Sequence, residues 1–242
     1  MTAQYWDRVA ASWDEHIMSS LHEDVSGNIS ALIAGAATTH RRILDYGCGI
    51  GGYLPLLSSQ FEQVVAVDSS RACVRRARAL ATALPNVTVC LPGQLPRRGA
   101  QRLFDVVLMA NVLIQPQEAQ RAKILGLALE HLRLGGVLLL VVPSVESVHL
   151  SEAVRRAYTQ HRNSAYSATA GARGFDPGLI AIQGRPTKHY SADEITVLLA
   201  SRRLAVNDIL RAEYSWRSEA FEGLDRRIER RPWDWVVSAV RR

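Results

Sequence analysis

Short, almost wholly apolar runs alternate with amphipathic segments through the first 144 residues, and this alternation limits the fold more than any other feature. The segments between the runs carry apolar residues three and four positions apart, as helices do. A strand without polar alternation is buried on both faces, which is typical of a parallel sheet covered by helices. The sequence therefore predicts an α/β fold whose strands are "RRILDYG", "QVVAVDSS", "VTVCL", "FDVVLMANVLI" and "VLLLVVPS".

The series changes after Ser144. The composition of segment 144–187 turns polar, and we predict that it forms a cap over a substrate site. Ser191 then begins a helix with Glu194 in capping-box position. Two alternating stretches, "LAVNDILRAEYSW" and "WDWVVSAVRR", are interpreted as a closing pair of strands, with Trp233 and Trp235 in the core and remote from the carboxyl edge of the sheet. Residues 1–242 are thus predicted to form one domain, preceded at 1–36 by N-terminal helices.

The bulk composition excludes several classes of protein. A chain of 242 residues with 48% hydrophobic residues suits one sizeable domain. No apolar run approaches the ~20 residues that a bilayer requires, and the N-terminus does not resemble a secretory signal. Three cysteines without metal-binding spacing indicate reduced thiols, so we expect a cytoplasmic protein with no metal site and no membrane partner.

The chain is basic, with a formal charge of +6 and a pI of about 9.6. Its arginines are spread along the sequence and form no dense block interleaved with aromatic residues. Net charge alone indicates solubility and non-specific binding, so nucleic acid is not the favoured partner.

The stretch "ILDYGCGIGGYL", residues 43–54, contains glycines spaced as G-x-G-x-x-G, at Gly47, Gly49 and Gly52. Asp45 stands two residues before the first of them. A carboxylate there would repel a pyrophosphate by roughly 4 kcal/mol at ~4 Å and an effective dielectric constant of ~20, and would attract an ammonium or sulfonium group equally. Asp68 follows at the spacing expected of an acid that binds both hydroxyls of a ribose. Together these residues predict a cationic nucleoside ligand, a description that S-adenosyl-L-methionine fits.

At this point the chain resembles a known family, the class I S-adenosylmethionine-dependent methyltransferases. "LDYGCGIGGY", "VVAVDSS", "FDVVLMANVL" and "LRLGGVLLLVVPS" are similar to its ordered motifs, and "YWDRVAASWDEH" to its lead-in helix. The resemblance implies a Rossmann-like three-layer sandwich, with a mostly parallel seven-stranded sheet, a reversed last strand and a helical lid. It also implies a cofactor that leaves as S-adenosyl-L-homocysteine.

Cofactor contacts follow from the resemblance residue by residue. Many relatives carry an acid that binds the adenine amino group where this chain has Gln94, whose amide oxygen can accept the same hydrogen bond. Asn111 follows the fourth strand and is expected near the methionine end. The full set of expected cofactor contacts is Asp45, Gly47, Cys48, Gly49, Asp68, Ser69, Gln94, Leu95 and Asn111.

Many small-molecule members of the family have histidines where this chain has Ile114 and Gln115, so the usual candidate base is missing there. We therefore predict the acceptor site from the positions of other residues. His189 is our candidate base or acceptor-orienting group, with His149 in reserve, since an unperturbed imidazole titrates near neutral pH. His16, His22 and His161 are weaker candidates. The expected acceptor contacts are Tyr5, Trp6, Trp13 and Tyr190.

The favoured function is methyl transfer to oxygen or nitrogen of a small molecule, in a pathway such as secondary metabolism. Three alternatives stay open: a peptide, protein or RNA acceptor, a nicotinamide-dependent oxidoreductase, and a non-catalytic cofactor-binding protein. The sequence is also compatible with a homodimer.

Overall fold

A computed structural model describes residues 2–13, 17–95, 103–158, 166–168, 178–182, 184–219 and 224–242. The candidate histidines His16 and His161 lie outside these ranges.

A seven-stranded sheet forms the centre of the molecule, in the order β3-β2-β1-β4-β5-β10-β9. Strands β1 to β5 run parallel, whereas β10 is antiparallel to both of its neighbours. The predicted mostly parallel sheet with a reversed last strand is therefore confirmed. The bounds are β1 Arg42–Tyr46, β2 Gln63–Val67, β3 Val87–Cys90, β4 Phe104–Ala110, β5 Leu132–Pro143, β9 Leu204–Glu213 and β10 Trp233–Arg241.

Helices cover both faces of this sheet, which gives three layers. Neighbouring strand residues bury opposite faces: Ile43 packs with Ile33 on one side, and Leu44 packs with Leu125 on the other. The helices are α1 Ala3–Val9, α2 Ser20–Glu23, α3 Asn28–Ala37, α4 Leu54–Gln60, α5 Arg71–Ala81, α6 Glu118–Leu129, α7 Val145–Tyr158 and α8 Ala192–Ala200, with 3₁₀ turns at Ala10–Ser12, Pro92–Gln94, Trp216–Glu219 and Leu224–Arg226.

The fifth strand begins earlier than the sequence suggests. The preceding helix ends at Leu129 and the strand begins at Leu132, whereas the predicted strand "VLLLVVPS" begins at Val137. Gly135 adopts φ 70° inside the strand, and the pairing with β4 shifts register there. The Arg241 guanidinium donates to the carbonyls of Leu129 and Leu132, which satisfies carbonyl groups at this junction.

Segment 144–187 is only partly helical. After α7 come three short strands, β6 Tyr166–Ala168, β7 Leu179–Ile182 and β8 Arg185–Lys188, which form a separate antiparallel sheet. Gly184 adopts φ 74° between β7 and β8, as a tight hairpin turn requires. The expectation of a helical lid is corrected to a helix followed by a small sheet.

Among the helices described, none combines the length and the apolar character needed to cross a membrane.

Candidate active site

A cavity of about 1060 Å³ opens at the carboxyl edge of the parallel strands. The glycine loop after β1 and the ends of β2, β4 and β5 form its floor, the expected place for a ligand in an open α/β sheet. The N-terminal helix, the small sheet and the start of β10 supply the remaining walls.

The glycine loop turns sharply because its backbone is left-handed. Gly47 and Gly49 have φ of 89° and 54°, and the N–H groups of Gly47 and Cys48 both donate to the carbonyl of Val67. A Cβ on Gly49 would lie 2.6 Å from the Trp13 ring, so only glycine fits between loop and ring. A third glycine of this loop, Gly51, is also left-handed, with φ 93°.

Asp45 is the most buried acid of the site, with 1% of its surface exposed. Its Oδ2 is buried without a hydrogen-bond partner. Burial, assisted by the nearby Asp68 carboxylate, raises the pKa of Asp45 to about 7. A cation or hydrogen-bond donor placed in the cavity would satisfy this oxygen, so the residue suits a cationic ligand.

Asp68 is fixed at the end of β2 by two backbone N–H groups. Its Oδ2 accepts from Gly49 at 3.0 Å and its Oδ1 from Ser70 at 2.8 Å. Burial raises the pKa of Asp68, against the lowering effect of these hydrogen bonds. Each oxygen keeps a second lone pair, so the carboxylate can also accept from two hydroxyl groups. Ser69, its exposed neighbour, lines the cavity too.

Asn111 lies where β4 enters the cavity, in the left-handed region with φ 55°. Its side-chain Oδ1 is buried without a partner, while Nδ2 approaches the Ser20 hydroxyl at 3.5 Å. Ser20 also hydrogen-bonds to the Tyr53 hydroxyl at 2.9 Å. The N-terminal segment is thereby tied to the floor of the cavity.

Three other expected cofactor contacts have different surroundings. Cys48 lines the cavity but is buried, and burial raises the pKa of its thiol well above the usual range. The Gln94 amide oxygen is already engaged, accepting from the backbone N–H of Leu91 at 2.9 Å and from Arg78 at 3.2 Å. Leu95 packs in the core. Neither Gln94 nor Leu95 belongs to the cavity wall.

The aromatic residues of the N-terminal segment do line the cavity, as a chain of ring contacts. Tyr5 meets Trp6 with ring centroids 4.9 Å apart, and Trp6 meets Trp13 at 5.9 Å. Asp7 anchors this segment on α5, where its Oδ1 accepts from the Ser70 hydroxyl and the Ala72 N–H.

The candidate residues for the acceptor site differ in whether they line the cavity. His189 lines the cavity and is 3% exposed, with its Nδ1 3.1 Å from the carbonyl oxygen of Thr187. Burial, with a smaller effect of the Lys188 charge, lowers the pKa of His189 to about 4. The unperturbed value expected from the sequence is therefore wrong here.

The other two acceptor candidates are not brought to the cavity. His149 is exposed on α7 and lies outside the cavity wall. Tyr190 is buried in the core, and its hydroxyl donates to the carbonyl of Leu113 at 2.7 Å.

Comparison with known proteins finds a family model that matches part of the chain. A family model described as a methyltransferase domain matches residues 43–136, the stretch that holds the glycine loop, Asp68 and Asn111. Residues 43–136 form a methyltransferase domain. This match favours a methyltransferase over a nicotinamide oxidoreductase.

Solved structures with the same fold as this methyltransferase domain cover almost the whole chain. The 1,6-didemethyltoxoflavin-N1-methyltransferase of Burkholderia thailandensis, solved with 1,6-didemethyltoxoflavin and S-adenosylhomocysteine, is 17% identical with a TM-score of 0.64, over 99% of this chain and 87% of that one. DhpI in complex with SAH is 16% identical with a TM-score of 0.63, over 98% and 93%. The N-methyltransferase NodS of Bradyrhizobium japonicum WM9, also with S-adenosyl-L-homocysteine, is 14% identical with a TM-score of 0.62, over 99% and 97%.

At these identities the likeness establishes the fold. A search of the curated proteins finds no match to the chain.

Tyr214, Trp233 and Asp234 are among the cavity residues of the methyltransferase that were not predicted from the sequence. Trp233 is buried as expected, but its expected distance from the carboxyl edge is wrong. Strand β10 is antiparallel, so it begins where the parallel strands end, and Asp234 pairs in register with Pro143 at the end of β5. The expected reversal of the last strand was the sequence signal that could have placed these residues at the cavity.

Proposed function

We propose that this enzyme transfers the methyl group of S-adenosyl-L-methionine to a nitrogen or oxygen atom of a small molecule, bound between the N-terminal helix and segment 144–187. The observation that carries the proposal is Asp45, a buried acid with an unpartnered oxygen beside a glycine loop. When bound, the cofactor supplies an electrophilic methyl group on a sulfonium sulfur.

The residues at the β1–β4 side of the cavity fit that cofactor. Asp45 would face its positively charged amino-acid end, because a cation removes the repulsion between the two neighbouring acids. Asp68 would accept from the ribose hydroxyls, and the left-handed glycines let the backbone approach closely. Asn111 would offer its unpartnered Oδ1 to an N–H donor.

The size of the cavity supports a small acceptor. A volume of about 1060 Å³ is at the upper end of the roughly 300–1,000 Å³ of ordinary ligand sites, so it suits a cofactor and a second small molecule together. The neighbours point the same way, since one was solved with a small heterocyclic substrate and another is an N-methyltransferase.

His189 would orient the acceptor. The carbonyl of Thr187 can only accept, so Nδ1 carries the hydrogen and Nε2 is left as an acceptor atom. With a pKa of about 4 the imidazole is neutral at pH 7 and a weak base. We propose that its Nε2 accepts a hydrogen bond from the molecule that receives the methyl group.

The test of the proposal is cofactor binding. Asp68→Ala removes the carboxylate that would accept hydrogen bonds from the two ribose hydroxyls, and a hydrogen bond to a charged group is worth ~1.5–3 kcal/mol. The variant should therefore bind S-adenosylhomocysteine at least tenfold more weakly in calorimetry. Asp208→Ala, which removes an exposed acid on β9, is the matched control and should bind like the wild type.

Urea unfolding of both variants checks that the fold is intact. Unchanged affinity in a folded Asp68→Ala protein, or NAD binding better than S-adenosylhomocysteine in the wild type, would contradict the proposal.

A further inference from the structure

The side of the cavity opposite the glycine loop carries a second buried acid. Asp234 is 8% exposed and belongs to the cavity wall, at the start of β10. The Tyr214 hydroxyl donates to its Oδ2 at 2.8 Å, and both residues are buried. Because β10 pairs with β5 and β9, this dyad stands on the central sheet.

The dyad is connected to the floor of the cavity without being part of the cofactor loop. The Asn111 side chain hydrogen-bonds to Asp234, which lowers the pKa of that acid, as the Tyr214 hydroxyl also does. Burial has the larger effect and raises the pKa to about 6, with a further increase from Glu219. The carboxyl group is therefore mostly ionised at neutral pH, and its second oxygen has lone pairs for another donor.

Trp233 adds a second point of recognition. Its Nε1 is buried without a hydrogen-bond partner, although the side chain is 4% exposed and lines the cavity. The ring is fixed by an edge contact with Trp235 at 5.8 Å and by the Arg211 guanidinium 4.2 Å from its centroid. An acceptor atom of a bound ligand would satisfy this buried N–H.

The charge of Asp234 indicates which ligand this half prefers, because a carboxylate attracts a cation or an N–H donor and repels another carboxylate. Arg8 and Arg185 also line the cavity, and the Arg185 guanidinium lies 4.5 Å from the centroid of the Tyr5 ring.

We propose that Asp234, held by Tyr214, is the acceptor-binding carboxylate of this enzyme, and that the acceptor carries a basic nitrogen whose N–H group donates to it. This inference rests on the proposed function, because it assigns the substrate class of the same cavity. Asp234 binds and orients the nitrogen, and Trp233 Nε1 donates to an acceptor atom elsewhere on the same molecule.

The experiment uses three probes that share one ring and differ in one group: benzylamine, benzyl alcohol and benzoate. Binding to the protein saturated with S-adenosylhomocysteine is measured by ligand-observed NMR. We expect benzylamine to bind at least tenfold better than the other two, with this preference falling as the pH is lowered through about 6 and Asp234 is protonated.

Asp234→Asn should lose at least tenfold in benzylamine affinity and keep its affinity for S-adenosylhomocysteine. Tyr214→Phe, which keeps the ring and removes only the hydroxyl, should weaken benzylamine in the same direction and provides the test if Asp234→Asn does not fold. Asp208→Asn is the control for loss of an exposed acid.

Preference for benzyl alcohol or benzoate, or unchanged benzylamine binding in a folded Asp234→Asn or Tyr214→Phe protein, would overturn the inference. Failure of the wild type to bind S-adenosylhomocysteine would instead contradict the proposed function, so the two failures are distinguishable.

Discussion

At the scale of single residues, Asp45 and His189 show how burial shifts the pKa of an acid and of an imidazole in opposite directions. Both are almost fully buried at the cavity wall, and burial disfavours the charged form of each. The acid is therefore easier to protonate than usual and the imidazole harder. Sequence position identified both residues, but only their surroundings set their protonation.

The raised pKa of Asp45 makes stability depend on pH. Between its unfolded value near 3.8 and its folded value of about 7, the native protein binds the proton more tightly, so this residue's contribution to stability is present at low pH and is lost as the pH rises through about 7. Asp45→Asn should remove the dependence. We expect the variant to gain about 3 kcal/mol relative to wild type between pH 5 and pH 8 in urea unfolding without ligand. A stability difference that is equal at both pH values would contradict this origin.

At the scale of elements, the N-terminal helix and the small sheet meet across the cavity. The Arg185 guanidinium on β8 lies 4.5 Å from the centroid of the Tyr5 ring on α1, and both residues belong to the cavity wall. Helix α7 is anchored separately, since the Ser147 hydroxyl accepts from the backbone N–H of Trp233. The elements around the acceptor are thus held by a few contacts from different parts of the chain.

Segment 144–187 is predicted to act as a lid that ligand binding closes. Proteinase K should cut this segment readily in the free protein and several-fold more slowly with S-adenosylhomocysteine, with the cut sites located by mass spectrometry. Arg185→Ala removes the contact with Tyr5 and should reduce the protection.

Arg156→Ala, an exposed arginine on α7, is the matched control and should be protected like the wild type. Equal cleavage with and without ligand in the wild type would count against a lid.

At the scale of the whole molecule, the sheet and its two covered faces were predictable because continuous apolar strands allow few other arrangements. The glycine loop and Asp68 were predictable because their spacing follows from that sheet. The engaged amide of Gln94 and the inward hydroxyl of Tyr190 were not, because they depend on side-chain contacts between distant segments. Asp234 was missed although the closing strand was predicted to begin at Trp233, because the reversed direction of that strand was not used to place its first residues at the carboxyl edge of the sheet.

Strand β5 offers a direct measure of the core. Leu140 is 1% exposed and Leu134 is 69% exposed on the same strand. Leu140→Ala should lower the free energy of unfolding by about 2–5 kcal/mol, because it leaves a cavity in the packed face. Leu134→Ala should stay within ~0.5 kcal/mol of wild type. Similar losses from both in urea unfolding would mean that the strand is not packed as described.

The site is also divided between two stretches of the sequence, because the antiparallel strand β10 begins at the cavity. Asp45, Asp68 and Asn111 come from the matched stretch 43–136, whereas His189, Tyr214 and Asp234 all come from segment 143–242. Strand β5 joins the two stretches, because it pairs with β4 on one side and with β10 on the other. A chimaeric protein joined near Pro143 would therefore keep the residues that we propose for the cofactor and replace His189, Tyr214 and Asp234, while the aromatic residues of the N-terminal helix stay in place.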